Sequence, residues 1–156
     1  LVERGEIDAA TVSMAAIRGW LAVDPERADR LMRENRSYIF FKETEIADES
    51  AGPVGAAGVS LQAGRSLAVD HRIHSFGTPI FVIAAGLADF DAPRPFSRLM
   101  IAQDTGTAIT GPVRGDLFAG SGPAAGDKAG SVKAAARFVV LAPRDSEMAR
   151  RAGHER

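Results

Sequence analysis

Three aspartates stand out in this chain because each follows or lies within a short apolar run that is typical of a β-strand. They are Asp70 after Ser66–Val69, Asp104 after Leu99–Gln103, and Asp116 within Gly111–Phe118. A strand that delivers a carboxylate to a Gly-rich turn places an acid at a barrel rim, where burial and neighbouring charges change its pKa. Acids of this kind transfer the protons in glycoside cleavage. The three positions therefore predict a carbohydrate-cleaving site.

Asp116 is the first candidate for the proton-transferring acid. The apolar residues Leu117 and Phe118 follow it directly. Apolar neighbours disfavour the charged form of a carboxyl group, so we expect Asp116 to hold a proton to near-neutral pH. The alternative is a Gly-Asp turn with a solvated side chain.

Asp104 is the second candidate. It lies twelve positions before Asp116, far enough for one strand-turn-strand return to bring both acids to the same rim. The alternative is an Asx-turn in which the carboxylate caps the backbone of Thr105 and Gly106. Asp70 is interpreted chiefly as a support for the fold that accepts backbone hydrogen bonds in a loop.

Two other patterns were weighed as binding sites. Asp70, His71 and His74 resemble a metal-ligand set, but the chain has no Cys and only His154 besides, so surface-loop histidines explain the pattern better. The glycine-rich stretch 120–126 lacks the Lys-Ser/Thr of a phosphate-binding loop. It predicts a rim that a glycan can approach or a helix N-terminal turn. No metal and no cofactor are predicted.

The composition excludes several classes of protein. The chain has 156 residues, 46% of them hydrophobic, and a net charge of −1 from 19 basic and 20 acidic side chains. That balance argues against a general nucleic-acid binder, which needs a basic face. The apolar run Ile80–Gly86 is too short to cross a bilayer. The sequence begins at Leu1 rather than at a Met, so we interpret the chain as a fragment or a processed form from which any targeting signal is lost to view.

Helix signals occupy the first 36 residues. Ser13 is suited to cap a helix over Met14–Leu21, and Asp24 with Pro25 marks the start of a second helix that Asn35 ends. Two short amphipathic helices cannot bury their apolar faces alone. Residues 1–36 are therefore expected to be part of a larger region missing from this sequence.

Short strand-like runs separated by Gly and Pro follow. They are Tyr38–Phe41, Gly55–Leu61, Arg65–Val69, Pro79–Ala84, Arg98–Ala102 and Arg137–Leu141. Many short strands with Gly/Pro turns favour a closed barrel over an open sheet. A helix capped by Ser121 is predicted over 121–132, and residues 144–156 are expected to form a charged tail.

The chain resembles the membrane-bound lytic murein transglycosylase A family and its three-aspartate (3D) domain. Seven ordered blocks carry the resemblance: Asn35–Phe41, Gly52–Ala56, Gly64–Asp70, Phe76–Pro79, Arg98–Gly106, Gly111–Phe118 and Gly120–Gly126. The resemblance implies a mainly β fold, a double-psi β-barrel over residues 37–143. An upstream region and an inserted second domain, which together form the sugar groove, would lie outside this sequence.

The resemblance also implies an activity: non-hydrolytic cleavage of the β-1,4 bond between N-acetylmuramic acid and N-acetylglucosamine in peptidoglycan, leaving a 1,6-anhydro end. It implies a lipid-anchored protein of the outer membrane that faces the periplasm. Asp116 matches the family's catalytic aspartate by position. Asp104 is predicted as a second catalytic residue that changes the pKa of Asp116 or orients the sugar. The residues expected to bind substrate are Asp70, Thr105, Gly106, Arg114, Gly120, Ser121 and Gly122.

A single carboxyl group is sufficient for this reaction. It protonates the leaving oxygen and then, as a carboxylate, removes the proton of the substrate's own C6 hydroxyl, which attacks C1. The nucleophile is already tethered, so no water has to be positioned. Two alternatives stay open: a non-catalytic, expansin-like glycan-binding barrel, and a structural fragment that folds only with an absent partner segment.

Overall fold

The chain divides into two units, Leu1–Glu45 and Ile46–Arg156. A computed structural model describes residues 1–37, 40, 43, 51–87, 90, 95–132 and 134–146. The strand predicted over Tyr38–Phe41 and the tail 147–156 lie outside the described residues, Phe40 excepted.

The first unit contains two helices that begin at the predicted caps. Helix α1 spans Met14–Val23, and the Ser13 hydroxyl accepts a hydrogen bond from the Ala16 N–H at 3.1 Å. Helix α2 spans Pro25–Arg33, and the Asp24 carboxylate accepts hydrogen bonds from the N–H groups of its first turn. Both predicted helix starts are confirmed, since each cap satisfies donors that a helix leaves unpaired.

Trp20 joins the two helices of this unit. The Arg27 guanidinium lies 3.8 Å from the centre of the Trp20 ring and donates a hydrogen bond of 2.7 Å to the Trp20 carbonyl. The indole N–H donates to Glu6 at 3.1 Å. A cation over an aromatic face and a partnered indole nitrogen allow this large side chain to be partly buried without a lost hydrogen bond.

The second unit is mainly β, as the sequence predicted. Its strands are β1 (Ser66–Val69), β2 (Pro79–Ala84), β3 (Phe96–Asp104), β4 (Gly115–Leu117) and β5 (Arg137–Val140), and its helix is α3 (Pro123–Ser131). Strands β1, β2 and β5 begin and end within one residue of the predicted runs. Strand β3 is longer than predicted, and β4 was not among the predicted strands.

Two sequence predictions in this unit are wrong. Residues 55–61 form a turn with one isolated bridge, Val54 to Ser60, rather than a strand. A side chain at Gly55 would collide with the Gln103 carbonyl, so glycine serves close packing there rather than strand punctuation. Helix α3 is capped by Gly122 rather than Ser121, because the cap residue has φ 84°, which favours glycine.

The five strands form one sheet in the order β4-β1-β3-β2-β5. Strands β1 and β3 are parallel, and the other neighbours are antiparallel. Alternate residues of β2 and β3 are buried, so one face of the sheet carries the core. The fully buried residues of that face include Val69, Ile80, Phe96, Met100 and Ala102.

The sheet is curled, so that its two edge strands approach each other across the core face. A methyl group added at Gly115 in β4 would lie 2.9 Å from the tip of the Phe138 ring in β5. Contact between the first and last strands of the order indicates a half-barrel rather than a flat sheet. The double-psi topology remains a prediction.

Among the described residues, no helix has the length and apolarity needed to cross a membrane.

Met100 and Leu99 provide a test of which face of β3 holds the core. Met100 is fully buried, whereas its neighbour Leu99 is 40% exposed on the other face. We expect Met100→Ala to lower the free energy of unfolding by about 2–5 kcal/mol because it leaves a cavity. Leu99→Ala is expected to cost less than about 1 kcal/mol. Urea denaturation measures both, and equal losses would contradict the assigned faces.

Candidate functional site

Asp116 and Asp104 lie in one row across the sheet, on either side of Ala68. Ala68 in β1 pairs with Asp116 in β4 and with Asp104 in β3. Residues paired across strands project from the same face. The Cα atoms of the two aspartates are therefore roughly 10 Å apart, two strand spacings. The connection from Asp104 to Asp116 therefore brings both acids to one edge region of the sheet, as the sequence predicted.

A register shift in β3 makes this row possible. Leu67 pairs with Ala102, but the next residue of β1, Ala68, pairs with Asp104, so Gln103 is an extra residue. Side chains alternate between faces, so in an unshifted register Asp104 would pair with Val69 and project from the core face. The Gln103 Oε1 accepts a hydrogen bond of 2.5 Å from the Ser66 hydroxyl. The bulge thus turns the carboxylate of Asp104 to the same side as Asp116.

The Asp116 side chain is 55% exposed and forms an ion pair with Arg114, 3.0 Å away. Leu117 pairs with Leu67 and packs against the core, on the opposite face from Asp116. The predicted shielding of Asp116 by Leu117 is therefore wrong, because adjacent residues of a strand face opposite sides. An exposed ion pair of this kind adds little to folding stability.

A cavity of about 670 Å³ opens beside Asp116 on the concave side of the sheet. The segment Arg114–Leu117 lines one wall, and the apolar residues Val82, Phe96 and Phe138 line others. The cavity therefore lies on the core face, whereas the Asp116 side chain, paired with Ala68, projects from the opposite face of the sheet. The cavity walls are mostly apolar, so polar recognition near Asp116 depends on the rim.

Asp104 is held by the turn that precedes β1. Its Oδ1 accepts a hydrogen bond of 3.0 Å from the Ala56 N–H, and the Ala57 N–H donates to the Gln103 carbonyl at 3.1 Å. Sequence reasoning missed Ala56 because a backbone amide leaves no signal in its residue type. The glycines at 52, 55 and 58 were the available signal for a close backbone approach.

Asp70 connects two loops from a buried position. Its side chain is 2% exposed and accepts hydrogen bonds from Arg72 Nε at 2.9 Å, Arg72 Nη2 at 2.7 Å and the Gly111 N–H at 2.9 Å. These donors, Arg72 first and Gly111 next, hold the pKa of the Asp70 carboxyl well below its ordinary value. Gly111 belongs to the connection between Asp104 and Asp116, so Asp70 positions both acids.

Two histidines strengthen the same connection. His74 is buried and its Nε2 donates to the Pro112 carbonyl at 2.8 Å, since a carbonyl only accepts. His71 Nδ1 lies 3.1 Å from the Thr105 hydroxyl. Each residue of the considered metal set thus has another partner, and the described residues contain no group of three or more metal-ligating side chains.

The remaining predicted substrate residues are divided between two loops. Thr105 and Gly106 follow β3 at the rim, next to Asp104, and the Gly106 carbonyl accepts from the Ile109 N–H at 2.9 Å. The glycines at 120 and 122 and Ser121 form the loop between β4 and α3, and Ser121 is exposed. The structure places the first pair beside the row of aspartates.

The 3D domain family matches residues 65–142, half of the chain, and the MltA specific insert domain matches residues 1–42. These matches define the class, a protein with a 3D domain preceded by part of an insert domain. The chain belongs to the membrane-bound lytic murein transglycosylase A family, as its sequence blocks indicated. Part of the inserted domain, expected to lie outside the sequence, is therefore present in it.

Named relatives and solved structures support this family assignment. The membrane-bound lytic murein transglycosylase A of Vibrio cholerae is 37% identical over 85% of this chain, which spans 36% of that protein. A membrane-bound lytic murein transglycosylase structure from Agrobacterium tumefaciens has 50% identity and a TM-score of 0.79, covering 100% of this chain and 41% of its own.

A third relative was solved with a sugar. The structure of Escherichia coli MltA with bound chitohexaose has 31% identity and a TM-score of 0.76. It covers 90% of this chain and 42% of its own. This chain therefore spans well under half the length of the relatives that it matches.

Asp70→Asn tests the connection between the loops. The folded-state pKa is below the value of about 3.9 for an unfolded chain, so the stabilisation is complete above that value and is lost as pH falls through the folded-state pKa. We expect the variant to be less stable than wild type at neutral pH, and the difference to shrink below about pH 4.

Urea denaturation at a series of pH values measures this difference. Asp145→Asn, at an exposed aspartate of the same unit, serves as the control and is expected to change stability little at any pH. A difference between Asp70→Asn and wild type that stays constant down to low pH would contradict the assigned charge state.

Proposed function

We propose that this chain is the acid-bearing part of a peptidoglycan lytic transglycosylase. The reaction is cleavage of the β-1,4 bond between N-acetylmuramic acid and N-acetylglucosamine without water, leaving a 1,6-anhydro end. Two observations support the proposal: the names of relatives that align over most of the chain, and the row of Asp116, Ala68 and Asp104 on one face of the sheet.

Asp116 is the acid and base of the proposed reaction. It gives a proton to the glycosidic oxygen, which leaves with the bonding electron pair. The resulting carboxylate takes the proton of the C6 hydroxyl, whose oxygen forms the new bond to C1. Asp116 thus gives one proton and regains one, and the two products together retain every atom of the substrate.

Arg114 serves the first half of this cycle. Negative charge develops on Asp116 as its proton leaves, and the guanidinium 3.0 Å away stabilises that charge. A glycan strand lying over the exposed row would exclude water from the reacting groups. Asp104, held by Ala56, orients the sugar from the other side of Ala68.

The proposal includes a finer fold and a location. Residues 37–143 are proposed to form a double-psi β-barrel, which the curled sheet and the approach of Gly115 to Phe138 support. The full protein is proposed to face the periplasm from a lipid anchor in the outer membrane, and to complete its sugar groove with an N-terminal region outside this sequence. The relatives named membrane-bound support the envelope location.

One observation favours a second candidate, a non-catalytic glycan-binding barrel of the expansin type. Asp116 is half-exposed and already ion-paired, with no apolar side chain of its own strand beside it. A carboxylate in that setting is open to accept hydrogen bonds from sugar hydroxyls.

Digestion of purified sacculi distinguishes the two candidates. We expect wild type to release muropeptides with 1,6-anhydro ends, each lighter by one water than the hydrolysis product. Asp116→Asn keeps the shape of the side chain but cannot accept the proton, so its yield should fall by a factor of about 10²–10⁴. Mass spectrometry of the soluble fragments measures the yield.

Asp145→Asn is the matched control and should retain the wild-type yield. Binding of sacculi without any anhydro product would favour the non-catalytic barrel. An Asp116→Asn variant as active as wild type would contradict the assignment of the acid.

A further inference from the structure

Two aromatic side chains, His71 and Phe76, form an exposed stack. Their ring centres are 6.2 Å apart and their planes are inclined by 24°. His71 is exposed and Phe76 is 39% exposed. An aromatic pair that stacks on itself while remaining in contact with water presents a flat apolar surface that the fold does not use.

The stack lies at the same rim as the aspartate row. His71 follows Asp70 at the end of β1, and its Nδ1 contacts the hydroxyl of Thr105, the residue after Asp104. Phe76 precedes Gly77, whose N–H donates to the Ala102 carbonyl of β3 at 2.8 Å. The parallel pairing of β1 with β3 brings these chain ends together.

Hydrogen bonding fixes which nitrogen of His71 carries the proton. The Thr105 hydroxyl donates its only hydrogen to the Val69 carbonyl, 2.8 Å away. It can therefore only accept from His71, so the hydrogen is on Nδ1. In the neutral ring Nε2 is then an acceptor, and among the described residues it has no partner. The stack thus offers an aromatic face and one hydrogen-bond acceptor together.

A pyranose ring has the chemistry to match this surface. One of its faces carries C–H groups, which the negative face of an aromatic ring attracts, and its edge carries hydroxyl and acetamido N–H donors. Binding sites for small organic groups commonly combine aromatic walls with a few placed polar groups. A sugar ring bound here would lie next to Thr105 and Asp104, so the rest of the glycan strand would extend along the row toward Asp116.

We propose that His71 and Phe76 form a sugar-binding platform, on which one pyranose of a glycan strand lies while His71 Nε2 accepts a hydrogen bond from it. This inference rests on the proposed function for the identity of the ligand as a glycan. The platform would hold a ring of the strand beside Asp104 and so determine which glycosidic bond reaches Asp116.

Chitohexaose is the probe, titrated into the full chain by isothermal calorimetry. Phe76→Leu keeps an apolar side chain but loses the aromatic face, and we expect binding about 3- to 10-fold weaker. His71→Asn keeps an N–H donor for Thr105 but loses both the ring and the Nε2 acceptor, and a similar loss is expected. Leu99→Ala is the control, since the Leu99 side chain is similarly exposed, 40%, but lies outside the stack on the face of the sheet opposite the core.

Unchanged affinity in both platform variants, an equal loss in Leu99→Ala, or no binding by wild type would overturn the platform. NMR of the His71 ring nitrogens adds an independent check, because a proton on Nε2 alone would remove the acceptor. The test is separate from catalysis. If binding depends on the platform but no anhydro products form, the platform stands and the proposed enzyme is rejected. If anhydro products form but the platform variants bind as wild type does, the enzyme stands and the platform is rejected.

Discussion

The buried carboxylate of Asp70 is the contact on which the geometry of the rim depends. Four hydrogen bonds reach its two oxygens, three from Arg72 and one from the Gly111 N–H. A charge taken out of water is stable only when donors replace its hydration, and here the donors come from both loops that it joins. One of those loops leads from Asp104 to Asp116. The acids keep their relative position because a third aspartate holds the chain between them.

The second constraint is the bulge at Gln103. It changes the side of the sheet that Asp104 faces without moving the strand that carries the core residues Met100 and Ala102. Bulges occur next to active sites because they redirect one side chain at small cost to the ladder. The two acids therefore project from one face, separated only by the small side chain of Ala68.

Local rules predicted much of the fold. The Ser13 and Asp24 side chains accept hydrogen bonds from N–H groups two or three residues further along the chain, so these helix caps could be predicted from the sequence. The strand runs around β1, β2 and β5 were predicted from short apolar stretches between turn residues. Residues 55–61 were misread because their glycines serve contact with Gln103, which is distant in sequence.

The site was less predictable, since it depends on long-range pairing. The three aspartates were identified by type and position, but the bulge, the Arg114 ion pair and the amide of Ala56 follow from contacts between strands. The error over Leu117 has a different origin. A neighbour in sequence was taken for a neighbour in space, although strand alternation turns Leu117 to the core.

The proposed reaction differs from hydrolysis in its nucleophile: the tethered C6 hydroxyl, rather than water, attacks C1 after Asp116 gives up its proton. Digestion of sacculi in water labelled with heavy oxygen tests it most directly, with the label read by mass spectrometry at the newly formed sugar ends. We expect anhydro ends that carry no label. Labelled reducing ends would show that water is the nucleophile and would contradict it.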